Sequence, residues 1–187
     1  MGKLNEKKPG SVLAMSVGFM GPPEAAPEPT YKAVCTGVGH RRGSVSPRPS
    51  SLTASAPGTT GHVEVLHLRF DPAKVSYDSL IAHFLTFHDP TTLDRQGNDR
   101  GTQYASAVFY HTPEQKAVAV ERLGKLQALM DSGKGPAFAG GKVVTKLLQA
   151  TTYYPAEQYH QRYLDLNPGG YCNHGVRFAW PAGSCEL

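Results

Sequence analysis

A mixed α/β fold, an α+β sandwich of helices on a small and partly antiparallel sheet, is what this sequence predicts. Three observations predict it. Residues 62–70 alternate like a strand, with Val63, Val65, His67 and Arg69 on one side and Glu64, Leu66, Leu68 and Phe70 on the other. Two helix starts follow, at Ser76 and at Thr112-Pro113-Glu114-Gln115. The chain has 187 residues, 40% hydrophobic and 18% charged, which is enough for one domain with a real core.

The elements follow in order. Residues 1–10 are polar and are expected to be a disordered tail; the folded domain is expected over 11–172, and 173–187 as an irregular C-terminal tail. Ser11 to Phe19 carries Val12, Leu13, Val17 and Phe19 and reads as a strand. Gly21 to Pro29 holds four prolines and reads as a loop; Thr30 to Gly37 is a short element. Val38 to Thr59 is rich in Ser, Pro, Arg, Gly and Thr, cannot bury a core, and is expected to be a flexible insert. The strand over 62–70 is expected to be largely buried and to end at Asp71-Pro72. Ser76 can cap a helix carrying Leu80, Ile81, Phe84, Leu85 and Phe87. His88 to Gly101 is too polar for an element and reads as a structured loop. Tyr104 to Tyr110 reads as a second strand. Thr112 caps a long helix, with Pro113 in its first turn, Gln115 at the capping-box position, and Val118, Leu123, Leu126 and Leu129 as its apolar face. After a Gly-rich loop over 131–141, Lys142 to Leu148 reads as a third strand and Pro155 to Leu164 as a short helix.

Composition excludes several function classes. The net charge is +4, with cations spread over Lys3, Lys7, Lys8, Arg41, Arg42 and Arg48 and no basic–aromatic interleaving, so a nucleic-acid footprint is not expected. No apolar run is long enough to span a membrane, and residues 1–10 lack the apolar core of a secretory signal. Cys35, Cys172 and Cys185 are too few for a disulfide framework and fit a reducing, cytoplasmic setting.

Three polar clusters stand out: Gly61-His62-Val63-Glu64; His88-Asp89-Pro90 through Arg95-Gln96-Gly97-Asn98-Asp99-Arg100-Gly101-Thr102-Gln103-Tyr104; and Asn167-Pro168-Gly169-Gly170-Tyr171-Cys172. Packing alone does not require so many specific polar residues in so little chain. Glu64, inside an apolar strand, is either an exposed residue at a sheet edge, or one paired with Arg69, or a partly buried carboxyl whose raised pKa lets it hold a proton near neutral pH. Asn98-Asp99 is either a turn or part of a binding loop, and Tyr104 either a packing aromatic or a hydrogen-bond donor with an apolar face. His88 reads as structural. Cys172-Asn173-His174 resembles half a zinc site without a second pair, so no metal is expected.

Together, and in this order, these words resemble the methionine sulfoxide reductase A family, strongly over 61–172 and also over 9–37. The resemblance implies a ferredoxin-like core and the reduction of methionine (S)-sulfoxide, free or in proteins. It implies that Glu64 protonates or hydrogen-bonds the sulfoxide oxygen, that Tyr31, Asp99 and Tyr104 line the pocket, and that Cys172 is the resolving thiol. It implies no bound cofactor, thioredoxin or another thiol such as dithiothreitol as reductant, and a monomer. Cys35 matches a cysteine that the family often carries without using it as nucleophile, and Cys185 could be a second relay thiol, although the family's Gly-rich linker between two C-terminal cysteines is not reproduced over 173–184.

Two departures qualify the expectation. The family's nucleophile lies in Gly-Cys-Phe-Trp-Gly, which does not occur here; Trp180 is the only tryptophan. The first strand, catalytic elbow and first helix are therefore expected to be missing, leaving either a chain that is inactive as written or a non-catalytic binding paralogue. Val38 to Thr59 interrupts an otherwise continuous run from Cys35-Thr36-Gly37 to Thr60-Gly61-His62 and reads as an insertion.

Overall fold

The fold is read from a computed structural model that describes residues 8–25, 29–36, 60–172 and 174–183. The expected insert, residues 38–59, and most of the expected N-terminal tail lie outside the described residues. The elements are β1 (Val12–Met20), α1 (Tyr31–Thr36), β2 (Val63–Phe70), α2 (Tyr77–Thr86), β3 (Arg95–Gln96), β4 (Asp99–Arg100), β5 (Ala107–Tyr110), α3 (Pro113–Asp131), β6 (Lys146–Gln149), β7 (Tyr154–Pro155) and α4 (Tyr163–Leu166). Two single-turn 3₁₀ segments sit at Thr102–Tyr104 and Gln158–His160.

The expected α/β class holds, with the strands divided among separate sheets. β1 is the centre of an antiparallel sheet in the order β2-β1-β7. β3 and β4 form a two-stranded antiparallel hairpin, and β5 pairs with β6 in parallel. The β1–β2 register runs from Val12 opposite Phe70 to Met20 opposite Val63, with an irregularity between Val12 and Ala14. It places Phe19 opposite Glu64. Gly18 lies where β7 crosses: a Cβ there would run into the Tyr154 carbonyl oxygen and the Tyr153 ring.

β2 is less buried than expected. Only Val63 is buried, while Glu64, Leu66 and Arg69 are exposed, because β2 is a sheet edge. Met15 and Leu66 are diagonal neighbours on one face, 48% and 40% exposed, and Leu13 is 58% exposed. The strand expected over 104–110 begins only at Ala107, since Thr102–Tyr104 coil into a 3₁₀ turn after Gly101 (φ 135°). The third strand is shortened to Lys146–Gln149. The helix expected over 155–164 is broken into the Gln158–His160 turn and α4, with Arg162 in the left-handed region (φ 53°) between them.

The helices start as their sequences dictate. The Ser76 hydroxyl accepts from Ser79 N at 3.1 Å, capping α2. The Thr112 hydroxyl accepts from Gln115 N at 3.3 Å, and Gln115 Oε1 reaches back to accept from His111 N at 2.7 Å, one residue beyond the usual capping box. The main core joins α2, α3 and β5 through Ile81, Leu85, Val108, Ala119 and Leu126. Phe178 and Trp180 pack against it. The described part of the C-terminal segment is therefore irregular in backbone but docked: Arg177 N donates to Thr86 O, and Trp180 Nε1 to Ala82 O at 2.9 Å. Arg122, buried in α3, pairs with Asp78 and lies 5.0 Å from the Trp180 ring centroid.

His88 and Asp89 hold the long loop to this core. Phe84 O can only accept, so His88 Nδ1 carries the proton and donates to it at 2.8 Å. Nε2 then accepts from Ser106 Oγ at 2.7 Å, and Thr145 Oγ1 donates to Ser106 Oγ at 2.8 Å. Burial brings the His88 pKa down to about 4. Asp89 accepts from Thr91 N and Thr91 Oγ1 and, through Oδ2, from Ala139 N. Burial alone would raise its pKa, but these bonds outweigh burial and lower it. Gln96 closes the loop with bonds to Asp89 N and Asp89 O.

Two outcomes are expected. Gly18→Ala destabilises the fold by about 1–3 kcal/mol, because the obstructing atom is backbone and cannot swing away; equilibrium denaturant unfolding measures it. His88 binds its proton more weakly folded than unfolded, so its contribution is complete above pH 6.5 and is lost as pH falls through that value toward 4. Stability should drop by about 3 kcal/mol on this account, from about 1.4 kcal/mol per pH unit. A His88→Gln variant unfolded at a series of pH values should show a shallower acid limb.

Candidate functional site

The site forms where β2, the edge of the β1 sheet, meets α1 and the Thr102–Tyr104 turn. α1 begins at Tyr31 and places Cys35 one turn later on the same face. Glu64 lies in β2 opposite the buried Phe19. Cys35 Sγ donates to Glu64 Oε1 at 2.8 Å. The Tyr104 hydroxyl, at the end of its 3₁₀ turn, donates to the Cys35 sulfur. Asp99, in β4, is an electrostatic neighbour of Glu64 and Tyr31.

The segment after β7 closes the other side. Glu157 Oε1 accepts from Tyr31 N at 3.2 Å. The His160 ring lies 4.1 Å from the Tyr31 ring, centroid to centroid, and 4.4 Å from that of Tyr159. Glu157 Oε2 and His160 Nε2 are buried atoms without a hydrogen-bond partner in the structure. Gln161 fixes this segment onto the sheet, accepting from Val17 N at 3.0 Å and donating to Val17 O at 2.8 Å.

These contacts set the electrostatics. Desolvation raises the Glu64 pKa; the Cys35 hydrogen bond and the His160 charge work against it, and the Asp99 charge adds to it. Glu64 as a residue is exposed by area. Its carboxyl is nevertheless in contact with Cys35 of α1 and near Asp99 and His160, and these neighbours displace part of its water. The Cys35 thiol is pushed far above the usual thiol range, by burial first, then by its hydrogen bond to Glu64 and the Glu64 charge, with Glu157 adding to them. The Tyr104 hydroxyl works in the opposite sense, since it donates to the sulfur. Tyr31 and Tyr104 are both raised, each chiefly by burial. Neighbouring negative groups raise both further. The arrangement combines a carboxyl whose affinity for a proton is raised, two phenols whose pKa values are raised, and one thiol. It can hydrogen-bond and protonate a polar oxygen.

Known proteins resemble this chain in sequence and in fold. A family model described as peptide methionine sulfoxide reductase matches residues 38–180, a span that begins inside the expected insert. The peptide methionine sulfoxide reductase MsrA of Methanothermobacter thermautotrophicus is 39% identical over 166 residues, covering 89% of this chain and 80% of its own. The chain belongs to the peptide methionine sulfoxide reductase family. A probable peptide methionine sulfoxide reductase of Schizosaccharomyces pombe is 40% identical, covering 86% of this chain and 77% of its own. Among solved structures, a reduced-form crystal structure from Saccharomyces cerevisiae superposes with a TM-score of 0.70 at 28% identity, covering 95% of this chain and 85% of that one. The methionine sulfoxide reductase A of Corynebacterium diphtheriae gives 0.66 at 35% identity, covering 91% and 70%.

Within this family's fold, Tyr31, Glu64, Asp99 and Tyr104 lie together as electrostatic neighbours. Cys172 lies apart. It is exposed, its sulfur accepts from His174 N at 3.4 Å, and His174 packs edge-on to Phe87 at 5.8 Å between centroids. The segment that follows it is held by Arg177, Phe178 and Trp180. Cys35, which matches a cysteine that the family often carries without using it as nucleophile, is in direct contact with Glu64. Sequence reasoning also passed over Glu157 and His160. The Tyr31–Cys35 spacing of one helical turn was the available signal for Cys35; for His160 the signal was hidden by the expectation of a continuous helix. Among the described residues no three His, Cys, Asp or Glu side chains gather as a metal-ligand set.

Removing the Glu64 charge should release part of the restraint on Cys35. In Glu64→Gln the Cys35 thiol should alkylate roughly three- to tenfold faster at pH 9 than in the parent, as expected when a neighbouring negative charge is neutralised. Iodoacetamide labelling, with the Cys35 peptide quantified by mass spectrometry, measures it; an unchanged rate would mean that burial alone sets the thiol.

Proposed function

We propose that the Tyr31–Glu64–Asp99–Tyr104 cluster binds the sulfoxide group of methionine (S)-sulfoxide, free or in proteins. Glu64 donates to the oxygen, and the tyrosine rings face the methyl group. The carrying observation is that a carboxyl with a raised pKa and two phenols with raised pKa values share one site. A neutral carboxyl and a phenol are donors, and a sulfoxide oxygen is an acceptor. Asp99 contributes by keeping Glu64 protonated to higher pH. Family membership supports the same substrate.

Reducing equivalents come from an external thiol, thioredoxin or dithiothreitol, with no resident cofactor, and Cys172 acts as the resolving thiol that presents the disulfide. The chain works as a monomer in the cytoplasm. No described helix is long and apolar enough to cross a membrane. Turnover by the 187-residue polypeptide is slow. Its sequence has no Gly-Cys-Phe-Trp-Gly motif, and the one thiol touching Glu64 is held protonated.

Steady-state reduction of an (S)-sulfoxide peptide with dithiothreitol should run at least ~100-fold below that of a relative carrying the motif, since placing a reactive thiolate supplies much of the rate. Binding should survive: saturation-transfer NMR on the sulfoxide methyl should detect the (S)-epimer. Tyr104→Phe should weaken binding by roughly three- to tenfold, the worth of one neutral hydrogen bond. Equal signals for both epimers, or no effect of Tyr104→Phe and Glu64→Gln, would reject the site.

A further inference from the structure

We propose that the cleft between the start of α2 and the middle of α3 binds a small, multiply charged oxyanion of the phosphate class, such as pyrophosphate. The cleft has a volume of about 420 Å³, inside the range of roughly 300–1,000 Å³ that small-molecule sites occupy. Four cations line it, Lys8, Lys74, Arg122 and Lys125, and among the described lining residues Asp78 is the one carboxylate. The cleft is separate from the sulfoxide cluster. It lies beyond the Phe70 end of β2, whereas Glu64 stands near the other end, about 20 Å of strand away.

The fold brings these cations together from separate parts of the chain. Arg122 is only 2% exposed and is fixed in place: Nε donates to Asp78 Oδ1 at 2.8 Å, and Nη2 to Asp78 Oδ2. The Trp180 ring backs the same guanidinium. A guanidinium held in this way is a rigid donor at the floor of the cleft. Lys74 comes from the turn after β2, where Lys74 N donates to Asp71 O at 3.0 Å and Asp71 Oδ1 accepts from Ala73 N at 3.0 Å. Its ammonium lies against Gly10, where a Cβ would come within 2.7 Å of Nζ. Glycine at this point leaves the room that the ammonium fills. Among the described residues no carboxylate forms a salt bridge with Lys74. Lys125 pairs with Glu121 one helical turn earlier at 2.6 Å, but both side chains are more than half exposed. Such a pair is weak and opens readily for a competing anion.

Charge selects the ligand class. Four cations in one cleft repel one another, and the Asp78 carboxylate is already committed to Arg122. A monocarboxylate would offset one of the remaining charges. A phosphate group carries more charge, and its several oxygens can accept from a guanidinium and from more than one ammonium at once. The positive end of α2 opens on the same cleft and adds to a field that the side chains already set. No aromatic ring is among the described lining residues, so the cleft offers nothing for a base to stack on, and the charged group itself is what it recognises. Lys8 precedes β1 and Gly183 belongs to the C-terminal segment, and both line the cleft. A bound anion therefore ties the two ends of the described chain to the α2–α3 pair and stabilises the fold by mass action.

The test is a titration of the full 187-residue chain with sodium pyrophosphate, followed by backbone amide NMR, with sodium chloride at matched ionic strength as the reference. The expected result is a set of saturable shifts over 72–79, 122–125 and at Gly183, with half-saturation at or below about 1 mM, the strength of a few charge-assisted hydrogen bonds. Inorganic phosphate should bind more weakly than pyrophosphate, and acetate should not saturate. Lys74→Glu should weaken pyrophosphate at least about tenfold. Lys134→Glu, the same charge change at an exposed lysine past the end of α3, should leave the affinity unchanged. Pyrophosphate at ten times its Kd should raise the Tm of the parent by about 3–6 °C. It should not do so in Lys74→Glu, which separates binding from the general stabilising effect of phosphate salts. Circular dichroism checks that this variant is folded; if it is not, Lys125→Glu takes its place with the same expectation. Shifts no different from those in chloride overturn the proposal, as do shifts that map outside the cleft. Equal affinity in the parent and the cleft variant, or equal binding of acetate and pyrophosphate, overturns it too.

Discussion

β1 is the strand on which everything else is positioned. It is bonded on both sides, to β2 along its length and to β7 near its end. Where β7 stops, Gln161 substitutes for a strand partner by bonding both Val17 N and Val17 O. Ser16 Oγ and Tyr153 Oη, 2.8 Å apart, add a side-chain tie. The side-chain period of a strand is two, so slipping the β1–β2 register by one residue would turn Glu64 to the opposite face of the sheet. The same slip would bring Val63 to the place where Cys35 now finds a carboxyl. Pairing with β7 simultaneously delivers Glu157 and His160 to Tyr31. One strand thus brings together pieces of chain more than a hundred residues apart.

What the sequence made legible was local. Capping at Ser76 and Thr112 depends on a few neighbouring atoms, and both caps formed as their residues dictate. The polar loop after His88 was readable as ordered because Asp89 and Gln96 satisfy their own backbone. Long-range facts were not legible. The apolar residues of β2 suggest a buried strand, but burial depends on which neighbours arrive, and β2 ends at a sheet edge. Tyr104 has strand propensity, yet Gly101 in a backbone region closed to other residues turns the chain before it. The polar run over 155–164 has no strong period, and Arg162 in the left-handed region breaks it. The candidate site divided in the same way. The family motif named Tyr31, Glu64, Asp99 and Tyr104, whereas Cys35, Glu157 and His160 are known only from what they touch.

The electrostatics of the cluster follow from its place at an edge. A carboxylate that faces open water keeps its ordinary pKa; one crowded between a helix, a turn and the segment after β7 loses part of its hydration without being covered. Glu64 is in the second situation while remaining reachable from solvent. Reachability matters for a substrate that is a side chain on another protein, since the methionine must enter with backbone attached. The exposed apolar residues Leu66 and Met15 continue the same sheet away from Glu64, so the carboxyl borders apolar surface as well as donors. A methionine side chain has the same division, apolar along its stem and polar at one oxygen.

The Cys35–Glu64 contact makes a trade between resting stability and reactivity. A thiolate is the form that oxidises readily, and its population falls as the pKa rises. Burial and the Glu64 charge both suppress it, and only Tyr104 favours it. The half-buried sulfur is therefore held as the thiol, the form that resists adventitious oxidants. A thiol beside a carboxylate is in this respect the opposite of one at a helix start, where the N-terminal partial charge favours the thiolate.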